Sequence, residues 1–218
     1  MGSIGLNALS LPPDGGALPT LYLVRHGETA WTLTGQHTGS TDIALTAQGE
    51  AMASDLAPLL AGAPFIRILV SPRQRARLTC ELATGRADAT IEPDLAEWDY
   101  GDYEGLHTSA ILRDRPGWDL FRDGCPGGET LTDVVGRADR LLARLAHETG
   151  ALALFTHGQF GCVLAARWIG LAGEEAAHFA LDPAALGILG ARPGHPAVAA
   201  IIRWNVVANP RLGWRAAD

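Results

Sequence analysis

Two short stretches of this chain put an imidazole behind an apolar run and a glycine behind the imidazole. They are Arg25-His26-Gly27-Glu28-Thr29, after Leu21–Val24, and Thr156-His157-Gly158-Gln159, after Ala151–Phe155. A neutral imidazole is a nucleophile, and a guanidinium beside it attracts anions, so the first stretch suits attack on a phosphate ester. One such histidine alone is more often a hydrogen-bonded structural residue. Two of them with Arg25 on one sheet shift the reading toward a phosphate pocket, and a helix opening after Gly158 would offer free N–H groups to the same anion.

Two other segments carry candidate groups without resolving them. Ser71-Pro72-Arg73-Gln74-Arg75-Ala76-Arg77 has three arginines at alternate positions. Helical side chains align at three- and four-residue spacing, so at most one or two of these can point to one site. Taken alone, the segment reads as a solvated helix start. Leu95-Ala96-Glu97-Trp98-Asp99-Tyr100-Gly101-Asp102-Tyr103-Glu104-Gly105 contains four acids. One carboxyl group held near a bound phosphate could protonate the departing alkoxide, but spacing does not choose among them. The chain has no HxxxH pair, no DxDxT-like signature, no cysteine pair and no GxxxxGK[ST] loop, so neither a metal, a cofactor nor P-loop chemistry is expected. His37, His107, His147, His178 and His195 are expected on the surface or in loops.

The elements that must position these groups follow from the apolar pattern. Strands are expected at Leu21–Val24, Ile66–Val70, Ala151–Phe155, Ala185–Leu189 and Val198–Trp204, mostly as continuous apolar runs typical of buried central strands. Helices are expected at Thr46–Ala61, Pro72–Ala83, Glu129–His147 and Gln159–Ile169, with Ser71 as N-cap ahead of Pro72. Leu95 to Gly128 is too irregular to place and reads as an insertion over the site. Alternating strands and helices imply an α/β three-layer sandwich: a mostly parallel central sheet with helices on both faces. In such sheets ligands bind beyond the carboxyl ends of the strands.

Composition narrows the rest. The chain has 218 residues, 47% of them hydrophobic and 19% charged, which fits one ordinary folded domain over residues 20–218 behind a flexible leader at 1–19. The net charge of −7 argues against a nucleic-acid partner, while a local arginine cluster can still hold a small anion. The apolar tract Ala151–Leu171 is interrupted by His157, Gln159 and Arg167, so no membrane span is expected. Cys80, Cys125 and Cys162 are odd in number and far apart, in keeping with a reducing cytoplasm. A monomer or a homodimer would serve equally.

Together the four segments resemble the histidine phosphatase superfamily, the group that contains cofactor-dependent phosphoglycerate mutase. The carriers are R-H-G-E-T at Arg25–Thr29, S-P-R-Q-R-A-R-L-T at Ser71–Thr79, L-A-E-W-D-Y-G at Leu95–Gly101 and T-H-G at Thr156–Gly158, in the family's order. The resemblance spans roughly residues 20 to 208 and implies a phosphoglycerate mutase-like fold. It further implies His26 as the residue phosphorylated, Arg75 (not Arg73 or Arg77) as the pocket arginine and Glu97 as acid/base. Arg25 and His157 would complete the catalytic group, while Thr38, Gly39, Tyr100 and Gln159 would contact substrate. Glu97–Gly105 and Arg122–Thr130 most resemble fungal-type sedoheptulose bisphosphatases and related sugar-phosphate phosphatases. Thr108 stands where the mutases carry a substrate-binding lysine, and their paired arginines before the second histidine motif have no counterpart. The implied activity is therefore hydrolysis of a small sugar phosphate or bisphosphate. A mutase acting on phosphoglycerate is the alternative, separated by phosphate release against isomerisation. A non-catalytic phospho-ligand binder is disfavoured by the presence of both His26 and Glu97.

Overall fold

The computed structural model describes residues 17–208. Most of the expected leader, residues 1–16, lies outside the described residues. In chain order the elements are β1 (Thr20–Arg25), α1 (Ala30–Thr34), α2 (Ala47–Asp55), α3 (Ala57–Leu60), β2 (Phe65–Val70), α4 (Gln74–Thr84) and β3 (Thr90–Ile91). They continue with α5 (Thr108–Asp114), α6 (Leu120–Asp123), α7 (Leu131–Leu145), β4 (Ala151–Thr156), α8 (Gly158–Trp168), β5 (Leu186–Arg192) and β6 (His195–Val206).

The strands form one sheet in the order β3-β2-β4-β1-β5-β6. β3, β2, β4 and β1 run parallel, whereas β5 and β6 are antiparallel additions. Mostly parallel describes the half that carries the chemistry. The continuous apolar runs hide a two-residue alternation. Leu21, Leu23, Leu69, Leu152, Leu154 and Leu189 face a core shared with α7 and α8. Val24, Ile68, Val70, Ala153, Phe155 and Leu186 face a second core made with α2, α3 and α4. Helices thus cover both faces, which is why these strands carry no polar stripe.

Helix boundaries follow local chemistry. Thr46 caps α2 through its side chain, and the helix expected to continue to Ala61 is divided at Leu56, because Pro58 in the first turn of α3 cannot donate the hydrogen bond that continuation needs. Thr130 and Asp133 make a capping box on α7, whose apolar stripe Val134, Ala138, Leu141, Leu142 and Leu145 is buried. The expected N-cap at Ser71 is not formed. α4 begins two residues later, with Arg73 as the extended cap, because the Ser71 hydroxyl is engaged elsewhere. The segment 95–128, left unplaced by pattern, holds 3-10 turns at Pro93–Leu95 and Gly101–Tyr103 together with α5 and α6. No helix of the described residues is long and apolar enough to cross a membrane.

Candidate functional site

The register of β1 and β4 pairs Arg25 with Thr156, so the next residues, His26 and His157, leave adjacent parallel strands at the same level. Their ring centroids are 5.1 Å apart, close to the spacing between neighbouring strands. The expected convergence of the two imidazoles is therefore built into the sheet. Both are buried.

Each ring has a defined hydrogen-bond role. His26 Nδ1 lies 2.7 Å from the Gly27 carbonyl oxygen. A carbonyl only accepts, so Nδ1 carries the proton and the neutral ring leaves Nε2 with a free lone pair. His157 Nε2 lies 2.7 Å from Ser71 Oγ, which also accepts the Arg73 N–H at 3.3 Å. With the hydroxyl donating onward to Nε2, the His157 proton falls on Nδ1, which is buried with no partner. Burial, then the nearby charge of Arg75, holds both imidazoles well below the usual histidine range; Arg25 adds to the effect on each. For His26 the adjacent Arg25 is the smallest of these three causes.

Arg25 at the end of β1 gives one guanidinium nitrogen to the Leu181 carbonyl, while its Nε is buried without a partner. Arg75 is fully buried and donates to the carbonyls of Thr41 (2.9 Å), Thr38 (3.2 Å) and Gly39 (3.2 Å), and its Nε is likewise unpartnered. Burial lowers both pKa values, partly offset by the Glu97 carboxylate lying near each. Among the described residues, the buried side-chain polar atoms lacking a partner are Nε of Arg25, Arg73 and Arg75 and Nδ1 of His157. Unsatisfied buried donors are costly and uncommon. All four lie on His157 or on arginines whose charge bears on it.

Glu97 is buried where the loop after Leu95 meets α8. Its Oε1 accepts the N–H groups of Trp98 (2.9 Å) and Phe160 (2.9 Å), and its Oε2 accepts that of Gln159 (3.1 Å). The N-terminus of α8 is expected to offer N–H groups to a bound anion; the Gln159 and Phe160 groups instead hold the Glu97 carboxyl group. Gln159 enters the site through its backbone. The other acids of the segment separate cleanly, since Asp99 and Asp102 are exposed. Glu104 accepts the N–H groups of Gly39, Ser40 and Thr41 and fixes the 38–41 loop beneath Arg75.

Thr38 and Gly39 therefore meet Arg75 through their carbonyls, with the Thr38 hydroxyl on the Gln36 carbonyl at 3.1 Å. Tyr100 is buried and stacks on His37 at 4.6 Å; burial pushes its phenol well above the ordinary range, so it stays neutral. His37 lies in a loop, as expected, and is half-buried between Tyr100 and the edge of Trp118. Its signal in sequence was only its closeness to Thr38. His107, His147, His178 and His195 are exposed as expected.

The two motif glycines serve different purposes. A Cβ on Gly27 would come 2.4 Å from the Gly49 carbonyl oxygen, where α2 crosses the strand end. A Cβ on Gly158 would press 3.2 Å from the Arg25 guanidinium carbon. One glycine admits a backbone, the other a cation.

Residues 21–205 match the histidine phosphatase superfamily (branch 1). The chain is 41% identical over 179 residues to an acid phosphatase of Mycobacterium tuberculosis, covering 80% of this chain and 87% of that protein. It is 34% identical over 186 residues to sedoheptulose 1,7-bisphosphatase of Saccharomyces cerevisiae, covering 70% and 68%. The solved structure of a Mycobacterium tuberculosis open reading frame superposes with a TM-score of 0.82 at 36% identity, covering 88% of this chain and 99% of that one.

Proposed function

The chain belongs to the histidine phosphatase superfamily, branch 1, and we propose that it hydrolyses small sugar phosphates or bisphosphates through a phosphohistidine on His26, without a metal ion. The observation that carries this reading is the unprotonated Nε2 of His26 in a ring packed on His157, together with the buried Nε of Arg25, Nε of Arg75 and Nδ1 of His157, which have no partner within the protein. The relation to the yeast sedoheptulose 1,7-bisphosphatase supports the substrate class.

In the first step the His26 Nε2 lone pair attacks phosphorus, the N–P bond forms and the P–O bond to the sugar breaks. The Glu97 carboxyl gives its proton to the departing oxygen. In the second step a water oxygen attacks phosphorus and passes its proton to Glu97, and the N–P electron pair returns to Nε2, releasing inorganic phosphate. The Gly27 carbonyl accepts a hydrogen bond from Nδ1–H throughout, steadying the positive ring of the phosphohistidine. Arg25, Arg75 and His157 Nδ1–H bind the non-bridging oxygens. Phosphoryl transfer of this loose kind depends mainly on positioning and charge stabilisation, and each fixed donor is worth about 3–4 kcal/mol by analogy with oxyanion-hole deletions. Two buried guanidiniums supply the positive charge that a divalent ion supplies elsewhere.

The test is phosphate release from a panel of sugar mono- and bisphosphates, with and without chelator. Wild-type protein should release phosphate in both conditions and trap acid-labile phosphate on His26, and His26→Ala should do neither. Isomerisation of phosphoglycerate outrunning phosphate release, or activity undiminished in His26→Ala, would overturn the reading.

A further inference from the structure

Arg73 is a cation for which neither the fold nor the chemistry described above has a use. The spacing rule that sets it apart from Arg75 assumes both are helical. They are not: α4 starts at Gln74, and Arg73 is its extended cap at φ −75° and ψ 136°. Two residues apart across this junction, the two side chains can serve one cleft.

Three observations place its guanidinium. Its Nε is buried with no hydrogen-bond partner, a property it shares among arginines of the described residues only with Arg25 and Arg75. Its backbone N–H bonds to Ser71 Oγ, the same oxygen that holds His157 Nε2. Its positive charge bears on His157 and on Arg75, whereas Arg75 and Arg25 are the cations that bear on His26. Arg73 thus adjoins the Ser71–His157 contact at the start of α4. Asp42 accepts the Gln74 N–H at 2.8 Å and forms no ion pair with Arg73.

We propose that Arg73 forms a second anion position, which takes a phosphate or carboxylate carried on the same small molecule as the phosphoryl group being transferred. This rests on the phosphatase reading above and narrows its substrate class to doubly anionic compounds. The transferred group already has Arg25, Arg75 and His157 for its non-bridging oxygens. A third cation, beside the Ser71–His157 contact and in no ion pair among the described residues, fits the remote end of the substrate. A buried Nε–H donor with no partner is costly, and a remote anion relieves that cost when bound.

The experiment compares wild type, Arg73→Gln and Arg73→Lys on fructose 1,6-bisphosphate, fructose 6-phosphate and 3-phosphoglycerate, following phosphate release. Wild type should favour the doubly anionic compounds. Arg73→Gln should lower kcat/KM at least tenfold more on them than on fructose 6-phosphate, chiefly through KM, and Arg73→Lys should recover part of the loss. A larger effect on the bisphosphate than on 3-phosphoglycerate would identify the remote group as phosphate; the reverse would identify it as carboxylate. Equal losses on all three compounds would overturn the proposal, since Arg73 would then serve the transferred group or merely hold Ser71. An unchanged selectivity ratio would overturn it too. Neither result touches the phosphatase reading, which fails instead if the wild type releases no phosphate from any compound or if His26→Ala still does.

Discussion

Ser71 shows how much one hydroxyl can decide. Its type and its place before Pro72 suggest a helix cap, yet His157 takes the hydroxyl at 2.7 Å and the helix starts two residues later. The chain of donors from Arg73 N–H through Ser71 to His157 Nε2 sets which imidazole nitrogen faces substrate with a proton. Removing the hydroxyl should leave His157 Nε2 without its partner and let the proton move there. Ser71→Ala is expected to lower kcat/KM roughly tenfold to a hundredfold, the worth of a buried hydrogen bond of about 1–3 kcal/mol. Nitrogen-15 NMR of the histidine side chains should show the His157 proton on Nδ1 in wild type and redistributed in the variant. A variant with the wild-type tautomer and undiminished activity would reduce Ser71 to a packing residue.

At the scale of elements, Glu97 lies on a loop, and loops do not hold a proton donor in place unaided. Here α7 holds it. Arg137, half-buried on α7, donates to Glu129 at 2.7 and 2.9 Å, to the carbonyls of Asp94 and Ala96 at 2.9 and 3.0 Å, and to that of Glu97 at 3.4 Å. Its guanidinium carbon also sits 4.7 Å from the centre of the Phe160 ring, and Thr156 at the end of β4 donates to the Leu95 carbonyl. Arg137→Met should cost about 2–3 kcal/mol, less than a fully buried pair because both partners keep some exposure. The informative readout is the leaving group. With Glu97 loosened, kcat/KM for a sugar phosphate, whose alkoxide needs a proton, should fall at least tenfold further than kcat/KM for p-nitrophenyl phosphate, whose phenolate does not. Equal losses on both would mean that Arg137 contributes stability alone. None of this was legible beforehand, since Arg137 sits in a helix whose sequence reports only its apolar stripe.

Across the whole molecule, what could be read in advance divides by whether strand ends alone set a residue's place. The two imidazoles were legible because each ends a strand, and parallel neighbours bring strand ends to one level; residues 26 and 157 meet for that reason alone. Glu97 was not separable from Asp99, Asp102 and Glu104 by spacing, because its distinction comes from N–H groups more than sixty residues away on α8. The same assembly that makes the cleft also gives the protein a pH dependence. His26 and His157 are buried with pKa values well below the ordinary imidazole range, and half-buried His37 is shifted the same way, in each case chiefly by burial. In the unfolded chain these rings take up protons near pH 6.5. Below that value the unfolded state binds protons that the folded state refuses, so stability is full above pH 6.5 and is lost as pH falls toward the folded values, by about 1.4 kcal/mol per pH unit for each ring. The depressed carboxyl of Asp123, at about 2, acts in the same direction but in a more acid window. Urea unfolding of wild type should therefore shift to lower midpoints between pH 7.5 and 5.5. The double variant His26→Asn/His157→Asn should lose markedly less over the same range, because it has no ring left to charge at either position. Identical pH slopes in the two proteins would show that the imidazoles titrate freely in the folded state, and would remove the ground for a neutral nucleophile at His26.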